Sequence, residues 1–323
     1  MALPNFFIVG APKAGTTSLY AYLGQHAQIY LSPLKEPCYF AAELRPENFA
    51  PEERPRLARE MRTLEEYLHG DMRVPRFGGL VTQWDDYLRL FGNATDQLAI
   101  GEASACYLWS QSAARNIAAR IPQARIIINL RNPVDRAFSQ YLQMVTVGAI
   151  RRSFREQIQA SLRCRSEQFG RSWPFLEFGC YYPQIVRYLD HFPRSQVHIS
   201  LYEDLELHPQ ELLSQLFRFL GVDPAFVADV THRHHEPRVP RLTAVAYALK
   251  KLGIWSRLHY LAPASVRRAA RPLIFNARSS LVMAAEDRAF LTDYYRDDVL
   301  RLEALLQRDL SAWTDIRQGP RVV

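Results

Sequence analysis

The first apolar run, NFFIV over 5–9, is unbroken and stops at Gly10. A short continuous run closed by glycine predicts a strand covered on both faces. From Thr16 to about Gly24 the apolar spacing turns helical, and 28–31 predicts a second short strand. Pro33 and Pro37 mark a loop. Residues 41–98 read as an insertion. They are charged, proline-punctuated and weakly periodic, with one exposed helix over about 52–68 and a short amphipathic helix over 84–91. Strands follow at 98–101 and 124–130, with a helix over 111–121 between them. The run ARIIINL at 124–130 is almost wholly apolar, as a fully covered strand requires. Asn132-Pro133 suits a helix start, with asparagine as cap and proline at the first helical position; that helix should reach about Val147. Further helices are expected over 152–162 and 181–192, then a strand over 196–201, the loop YEDLELHP, and a helix from Pro209 to Leu220. The stretch 237–285 is helical in pattern but broken by Pro240, Pro263 and Pro272, and a last helix spans about 286–308. Strands alternating with helices predict a three-layer α/β fold, a parallel sheet flanked by helices. The core is placed at 1–236. The remainder, 237–323, is expected as a helical part packed on it within the same domain.

Composition narrows the class. The chain has 323 residues, 48% of them hydrophobic, enough for a sizeable core. No apolar run reaches the length of a membrane span. The start, MALPNFFIVG, lacks the pattern of a secretory leader. Cys38, Cys106, Cys164 and Cys180 are scattered, with no CxxC pair, which argues against a zinc site or a disulfide framework and fits a reducing cytoplasm. The net charge of +7 is unevenly placed. Residues 237–285 hold nine basic residues and no acidic one, while the rest of the chain has 31 basic against 33 acidic. Only four of the cations are lysines, Lys13, Lys35, Lys250 and Lys251, a skew that codon composition explains most simply.

Between the first strand and helix lies Gly10-Ala-Pro-Lys13-Ala14-Gly15-Thr16-Thr17. Its skeleton, G-x4-G-T-T, has the glycine spacing of a P-loop, but Lys13 sits inside the loop and Thr16 stands where that motif has lysine. Glycines let backbone N–H groups approach phosphate oxygens, and a helix N-terminus adds unpaired donors and a favourable dipole. A nucleotide triphosphatase would also need a carboxylate at a strand end to hold Mg²⁺. The strand 124–130 ends instead in Asn129-Leu130-Arg131. Arginine there opposes a metal and attracts a second anion, toward which Ser139 could turn its hydroxyl. Two separate phosphate sites are therefore expected, and no metal is required.

These residues resemble those of the PAPS-dependent sulfotransferases, PAPS being 3′-phosphoadenosine-5′-phosphosulfate. The match rests on PKAGTTSL (12–19), KEPCYF (35–40), GEASACYL (101–108), LRNPVDRAFSQY (130–141) and LYEDLELHP (201–209), covering about residues 5–220. KEPCYF looks like the branch containing carbohydrate (heparan-type) enzymes, and DLSAW (309–313) like the end of bacterial members. The resemblance implies a P-loop-like sulfotransferase fold and transfer of a sulfuryl group from PAPS to a hydroxyl or amine of a carbohydrate, lipid or small-metabolite acceptor, releasing 3′,5′-ADP. It places Lys13, Ala14, Gly15, Thr16 and Thr17 around the 5′-phosphosulfate, Arg131 and Ser139 on the 3′-phosphate, and Tyr202 near adenine. It makes Lys13 catalytic and Glu36 the general base. Heparan-type enzymes carry a lysine where this chain has Ala103, so a second catalytic cation is not expected there.

Other features stay open at this level. Glu36 could simply pair with Lys35, and Lys35 could bind sulfate, acceptor or solvent. His26 reads as structural, and His232, His234 and His235 as exposed or near the rim of the site. The basic stretch fits a solvated face, a nucleotide-covering loop using Arg238 and Arg241, or an amphipathic surface for a membrane or acidic acceptor. Nucleic acid is not expected, because no recognition motif accompanies the patch. The rival readings are a P-loop nucleotide phosphotransferase and a non-enzymatic binder of anionic membranes through 237–285. The expected location is cytoplasmic, with peripheral membrane contact through that stretch if the amphipathic reading of it holds.

Overall fold

The computed structural model describes residues 2–163, 174–231 and 281–316. His232, His234, His235, Arg238, Arg241 and the basic stretch up to residue 280 lie outside the described residues, so the readings placed on them are not addressed by it. Two units are distinguished, one formed by 1–131 with 165–234, the other by 132–164 with 235–323.

The first unit is built on five parallel strands. In chain order they are β1 (Phe6–Gly10), β2 (Ile29–Leu31), β5 (Ala99–Ala103), β6 (Arg125–Leu130) and β7 (Val197–Leu201). Two further short strands, β3 (Leu34–Lys35) and β4 (Arg76–Phe77), pair parallel to each other in a separate ribbon. The main sheet has the order β2-β5-β1-β6-β7. Phe6 pairs with Gly101 on one side and Arg125 on the other, and Ile8 with Ala103 and Ile127. All five residues of β1 are buried, as the unbroken apolar run predicts for a central strand. The chain leaves β1 toward one side of the sheet and later returns to the other. β1 therefore flanks the switch point where ligands bind in such sheets, outside the carboxyl ends of the strands.

The helices of this unit are α1 (Thr16–Leu23), α2 (Arg54–Leu68), α3 (Trp84–Arg89), α4 (Ala113–Arg120), α7 (Tyr181–Leu189), α8 (Tyr202–Leu207) and α9 (Pro209–Leu220). On one face of the sheet Leu19, Tyr22 and Leu23 of α1 join Leu212, Leu213, Leu216, Phe217 and Leu220 of α9 in a core cluster with Phe6, Ile8 and Ile127. His26 is structural, as expected. Its Nε2 faces the Asp223 carbonyl at 3.0 Å, its Nδ1 accepts from the Gln28 amide, and its ring lies against Phe217 and Phe226.

One expectation is corrected and another filled out. The segment after β7, read as a loop, is helix α8. Asp204 accepts from the Leu201 amide at 2.9 Å, and Glu203 and Asp204 sit in the first turn, where carboxylates favour a helix. The exposed helix expected over about 52–68 is α2, most of whose residues are exposed, though the insertion also buries apolar side chains. Leu57, Leu64 and Leu68 bury one stripe of α2, and Tyr87, Leu90 and Phe91 are wholly covered.

The second unit contains α5 (Pro133–Thr146), α6 (Phe154–Arg163), α10 (Ala285–Leu306) and α11 (Ser311–Thr314). The Asn132 side chain accepts from the amides of Val134 and Asp135, the cap that Asn-Pro predicts. Two ion pairs join its helices: Arg288 to Asp135 at 2.6 Å, with both side chains nearly covered, and Arg155 to Asp287 at 2.7 Å.

Candidate functional site

The loop between β1 and α1 is shaped by its glycines. Gly15 caps α1 at φ 83°, in the left-handed region, and a Cβ there would meet Leu205 Cδ2 at 2.7 Å. At the end of β1, a Cβ on Gly10 would sit 2.5 Å from that of Leu108. Both positions exclude a side chain, because a Cβ at either would run into a packed neighbour. The loop is held from β6. The Ala11 amide donates to the Asn129 carbonyl at 2.7 Å, and the Asn129 side-chain amide donates to the Ala14 carbonyl. The Asn129 side-chain oxygen in turn accepts from Ser200 of β7 at 2.7 Å, which fixes the amide's orientation.

Helix α1 opens with no side-chain cap and no acidic residue in its first turn. The first N–H groups of a helix have no partner within it, and the dipole there favours negative charge. Thr16 is buried and Thr17 partly exposed at this end. Arg131, the first residue after β6, closes over the same loop. Its Nη1 donates to the Lys13 carbonyl at 3.2 Å, and its guanidinium lies 4.5 Å from the centre of the Tyr202 ring. Tyr181 donates to the Arg131 carbonyl at 2.8 Å. Lys13, Gly15, Arg131 and Tyr202, drawn from three places in the sequence, thus meet at the ends of β1, β6 and β7. Stacked on Tyr202, the guanidinium keeps a defined direction while its remaining N–H groups can still be shared with an anion.

Glu36 stands at the end of β5, next to β1. Its amide donates to the Ala103 carbonyl at 2.8 Å. Its side chain is 41% exposed, whereas that of Lys35 is 3% exposed, and the Lys35 ammonium lies 2.9 Å from Glu36 Oε1. The pairing weighed as the plain reading is therefore present. Because the lysine is the buried member, it acts as a pillar under the carboxylate and not as a second surface charge. Glu36 and Cys38 both have positive φ, 64° and 54°, uncommon for residues with side chains.

Beneath this turn is a carboxylate that the sequence reading passed over. Glu102 is fully buried in β5. It accepts from the hydroxyls of Tyr87 at 3.1 Å, Tyr107 at 2.8 Å and Ser104 at 2.7 Å. Burial pushes its pKa up to about 7, against the lowering effect of those three donors. Cys38 and Cys106, far apart in sequence, have their sulfurs 3.3 Å apart as free thiols. Contact with Cys38 and burial push the Cys106 thiol well above its ordinary range.

Ser139 belongs to the second unit, buried on α5; its link to Arg131 rests on the resemblance. Among the described residues no group of three His, Cys, Asp or Glu side chains is placed to hold a metal ion. No described helix is long and apolar enough to cross a membrane. Sequence reasoning missed Asn129, Tyr181 and the group around Glu102. The Glu-x-Ser of GEASACYL was the one available signal for the last of these.

Fold and site together define an α/β protein with a glycine-bounded loop and an uncapped helix start at the switch point of a parallel sheet. The chain belongs to the Sulfotransferase family, which it matches over residues 4–226. It is 28% identical over 309 residues to human bifunctional heparan sulfate N-deacetylase/N-sulfotransferase 3, covering 95% of this chain and 30% of that protein. With the Xenopus laevis protein named bifunctional heparan sulfate N-deacetylase/N-sulfotransferase 1, identity is 27% over 308 residues, covering 94% and 30%. The chain therefore spans 30% of the length of these curated relatives. The solved sulfotransferase of Alicyclobacillus acidocaldarius is 32% identical, with a TM-score of 0.71, covering 98% of this chain and 100% of that one. The family expected from the motifs is borne out, with relatives in both the carbohydrate and the bacterial branch.

Proposed function

We propose that the chain is an enzyme that transfers a sulfuryl group from PAPS to a hydroxyl or amine of a carbohydrate acceptor, releasing 3′,5′-ADP. The observation that carries this reading is the meeting of Arg131 with the Lys13 loop at the switch point, beside Glu36 at the neighbouring strand end. The named N-sulfotransferase activity of the heparan sulfate relatives supports a carbohydrate acceptor with an amine nucleophile.

The cradle suits the donor. The left-handed turn at Gly15 and the uncapped start of α1 fit a 5′-phosphate, and Arg131 at the next strand end fits a second phosphate. Thr16 and Thr17 would add hydroxyl donors, and Ser139 would complete the 3′-phosphate site as the resemblance implies. PAPS would supply an activated sulfuryl group whose bond to the 5′-phosphate oxygen breaks as the acceptor attacks.

The residues' tasks are then electrostatic and positional. Lys13 neutralises the charge that gathers on the departing oxygen. Glu36 accepts the proton lost by the acceptor as its new bond to sulfur forms. Lys35, buried and 2.9 Å from Glu36, keeps that carboxylate at the strand end. No metal ion is needed to balance the leaving group in this scheme.

The test is a thermal-shift comparison. 3′,5′-ADP without Mg²⁺ should stabilise the protein by about 2.7 kcal/mol at a hundred times its Kd. Stabilisation by ATP that requires Mg²⁺ and exceeds that of 3′,5′-ADP would refute the reading. A screen for sulfated products with PAPS and carbohydrate acceptors then identifies the nucleophile.

A further inference from the structure

The turn carrying Glu36 cannot hold its shape through local preference. Two of its residues, Glu36 and Cys38, are left-handed without being glycine. Such conformations persist only where surrounding structure over-determines them. Backbone bonds to Ala103, Gly79 and Val81 and the Asn116 amide hold part of the turn; the other anchors converge on one atom group. The Cys38 amide donates to Ser104 Oγ at 3.1 Å, and Ser104 donates to Glu102 Oε2 at 2.7 Å. The Phe40 amide donates to Tyr107 Oη at 3.2 Å, and Tyr107 donates to Glu102 Oε1 at 2.8 Å. Between them the Tyr39 ring stacks on Tyr87 at 4.8 Å, and Tyr87 donates to the same Oε1. Three consecutive residues after the Glu36-Pro37 step are thus each held by a side chain that ends on Glu102.

We infer that Glu102 is a positioning residue for the proposed base: it orients the hydroxyls of Ser104, Tyr107 and Tyr87, and through them fixes the 36–40 turn and the carboxylate of Glu36. The inference rests on the sulfotransferase reading for what Glu36 does, but not for how its turn is held.

Burying a carboxyl group is costly unless its bonds are made, and an apolar side chain would fill the same volume more cheaply. What an apolar side chain cannot do is accept three hydroxyl protons at once. With those protons committed to Glu102, Ser104 and Tyr107 present lone pairs to the two amides. Glutamine keeps an acceptor for each of the two amides while reversing the Ser104 bond. Its oxygen can accept from both tyrosines, and its amide can donate to Ser104, whose second lone pair stays with Cys38. Alanine cannot.

The experiment has two arms on the full chain. Amide hydrogen exchange reads the turn directly. Ser104→Ala should speed exchange at Cys38 and leave Phe40 protected, and Tyr107→Phe should do the reverse. Glu102→Ala should release both, and Glu102→Gln neither. Unchanged protection in Ser104→Ala and Tyr107→Phe, or faster exchange spread evenly over β1, β5 and β6, overturns the proposal; these two variants carry the test should Glu102→Ala not fold. The second arm measures transfer from PAPS to a glucosamine oligosaccharide with free amino groups. Glu102→Ala should lower kcat about 10- to 100-fold with KM for PAPS unchanged, Glu102→Gln should recover it, and in a Glu36→Gln background Glu102→Ala should cost nothing further. An equal fall in both backgrounds refutes action through Glu36. No transfer by the unaltered chain, alongside the expected exchange pattern, counts against the sulfotransferase reading and leaves the anchoring of the turn upheld.

Discussion

Glu102 makes the stability of this protein depend on pH in a direction opposite to that of most carboxylates. Burial raises its pKa from an ordinary 4.5 to about 7 in the folded chain. Between those values the folded state holds the proton and the unfolded state has lost it. Folding stability therefore falls as pH rises through this window, and the contribution is fully present only at lower pH. From pH 5.5 to pH 8 the shift corresponds to a loss of about 2 kcal/mol, at 1.36 kcal/mol per unit. His198 works the other way. Burial lowers its pKa to about 4, so the folded state resists protonation and stability rises as pH climbs from there toward the ordinary value of 6.5. In the unaltered chain the two trends partly cancel. The informative quantity is the difference between the unaltered protein and Glu102→Gln, which keeps an acceptor for each of the Cys38 and Phe40 amides, removes one titration and leaves His198 in place. Urea unfolding at the two pH values should show the glutamine variant gaining about 2 kcal/mol on the parent as pH rises from 5.5 to 8. A difference that stays constant with pH would show that Glu102 titrates alike in both states, and would refute the reasoning from burial.

Four further outcomes are expected. Arg131→Ala should weaken 3′,5′-ADP by about 10- to 100-fold, the value of a charge-assisted bond of about 1.5–3 kcal/mol, and barely change 5′-AMP; equal losses for both ligands in calorimetry would remove Arg131 from the 3′-phosphate. Gly15→Ala places a side chain at φ 83° against Leu205 and should cost about 2–4 kcal/mol in denaturant unfolding, together with nucleotide binding. Glu36→Gln should keep 3′,5′-ADP affinity and lose kcat, and full turnover would strike Glu36 from the mechanism. Asp135→Ala leaves the covered guanidinium of Arg288 without its carboxylate, 2.6 Å away in the native protein, and should cost about 3–5 kcal/mol; an Arg288→Met change added to it should restore much of that loss.

Most of the fold was legible because its signals are local. The run over 5–9, the Asn132-Pro133 start and the Pro209 helix each follow from short-range sterics, capping and period. They appear in the structure within a residue or two as β1, α5 and α9. Helix α8 was missed because turn-like polar residues can either end a chain segment or cap one. The choice fell to the Asp204 bond with the Leu201 amide. The insertion's exposed helix was legible from its charges, which describe only its outer face. Which of its leucines and aromatic residues turn inward depends on what lies beneath them.

The site divides along the same line. Glycine spacing and the displaced lysine were enough to raise the expectation of an anion loop at Lys13 and a second anion site at Arg131, since a phosphate-binding turn is a property of a few consecutive residues. What holds those residues in register lies far away in sequence. Asn129 and Ser200 clamp the loop, Tyr202 supports Arg131, and Glu102 gathers Ser104, Tyr107 and Tyr87 under the turn of Glu36. A hydrogen bond between distant residues leaves no periodic trace in a single sequence. It exists only once the parallel pairing of β5, β1 and β6 has brought their carboxyl ends to one edge of the sheet. The chain alone thus determined which groups are proposed to meet the anions; the tertiary structure decided how the proposed base is held, because only folding removes Glu102 from water and leaves three hydroxyls as its partners.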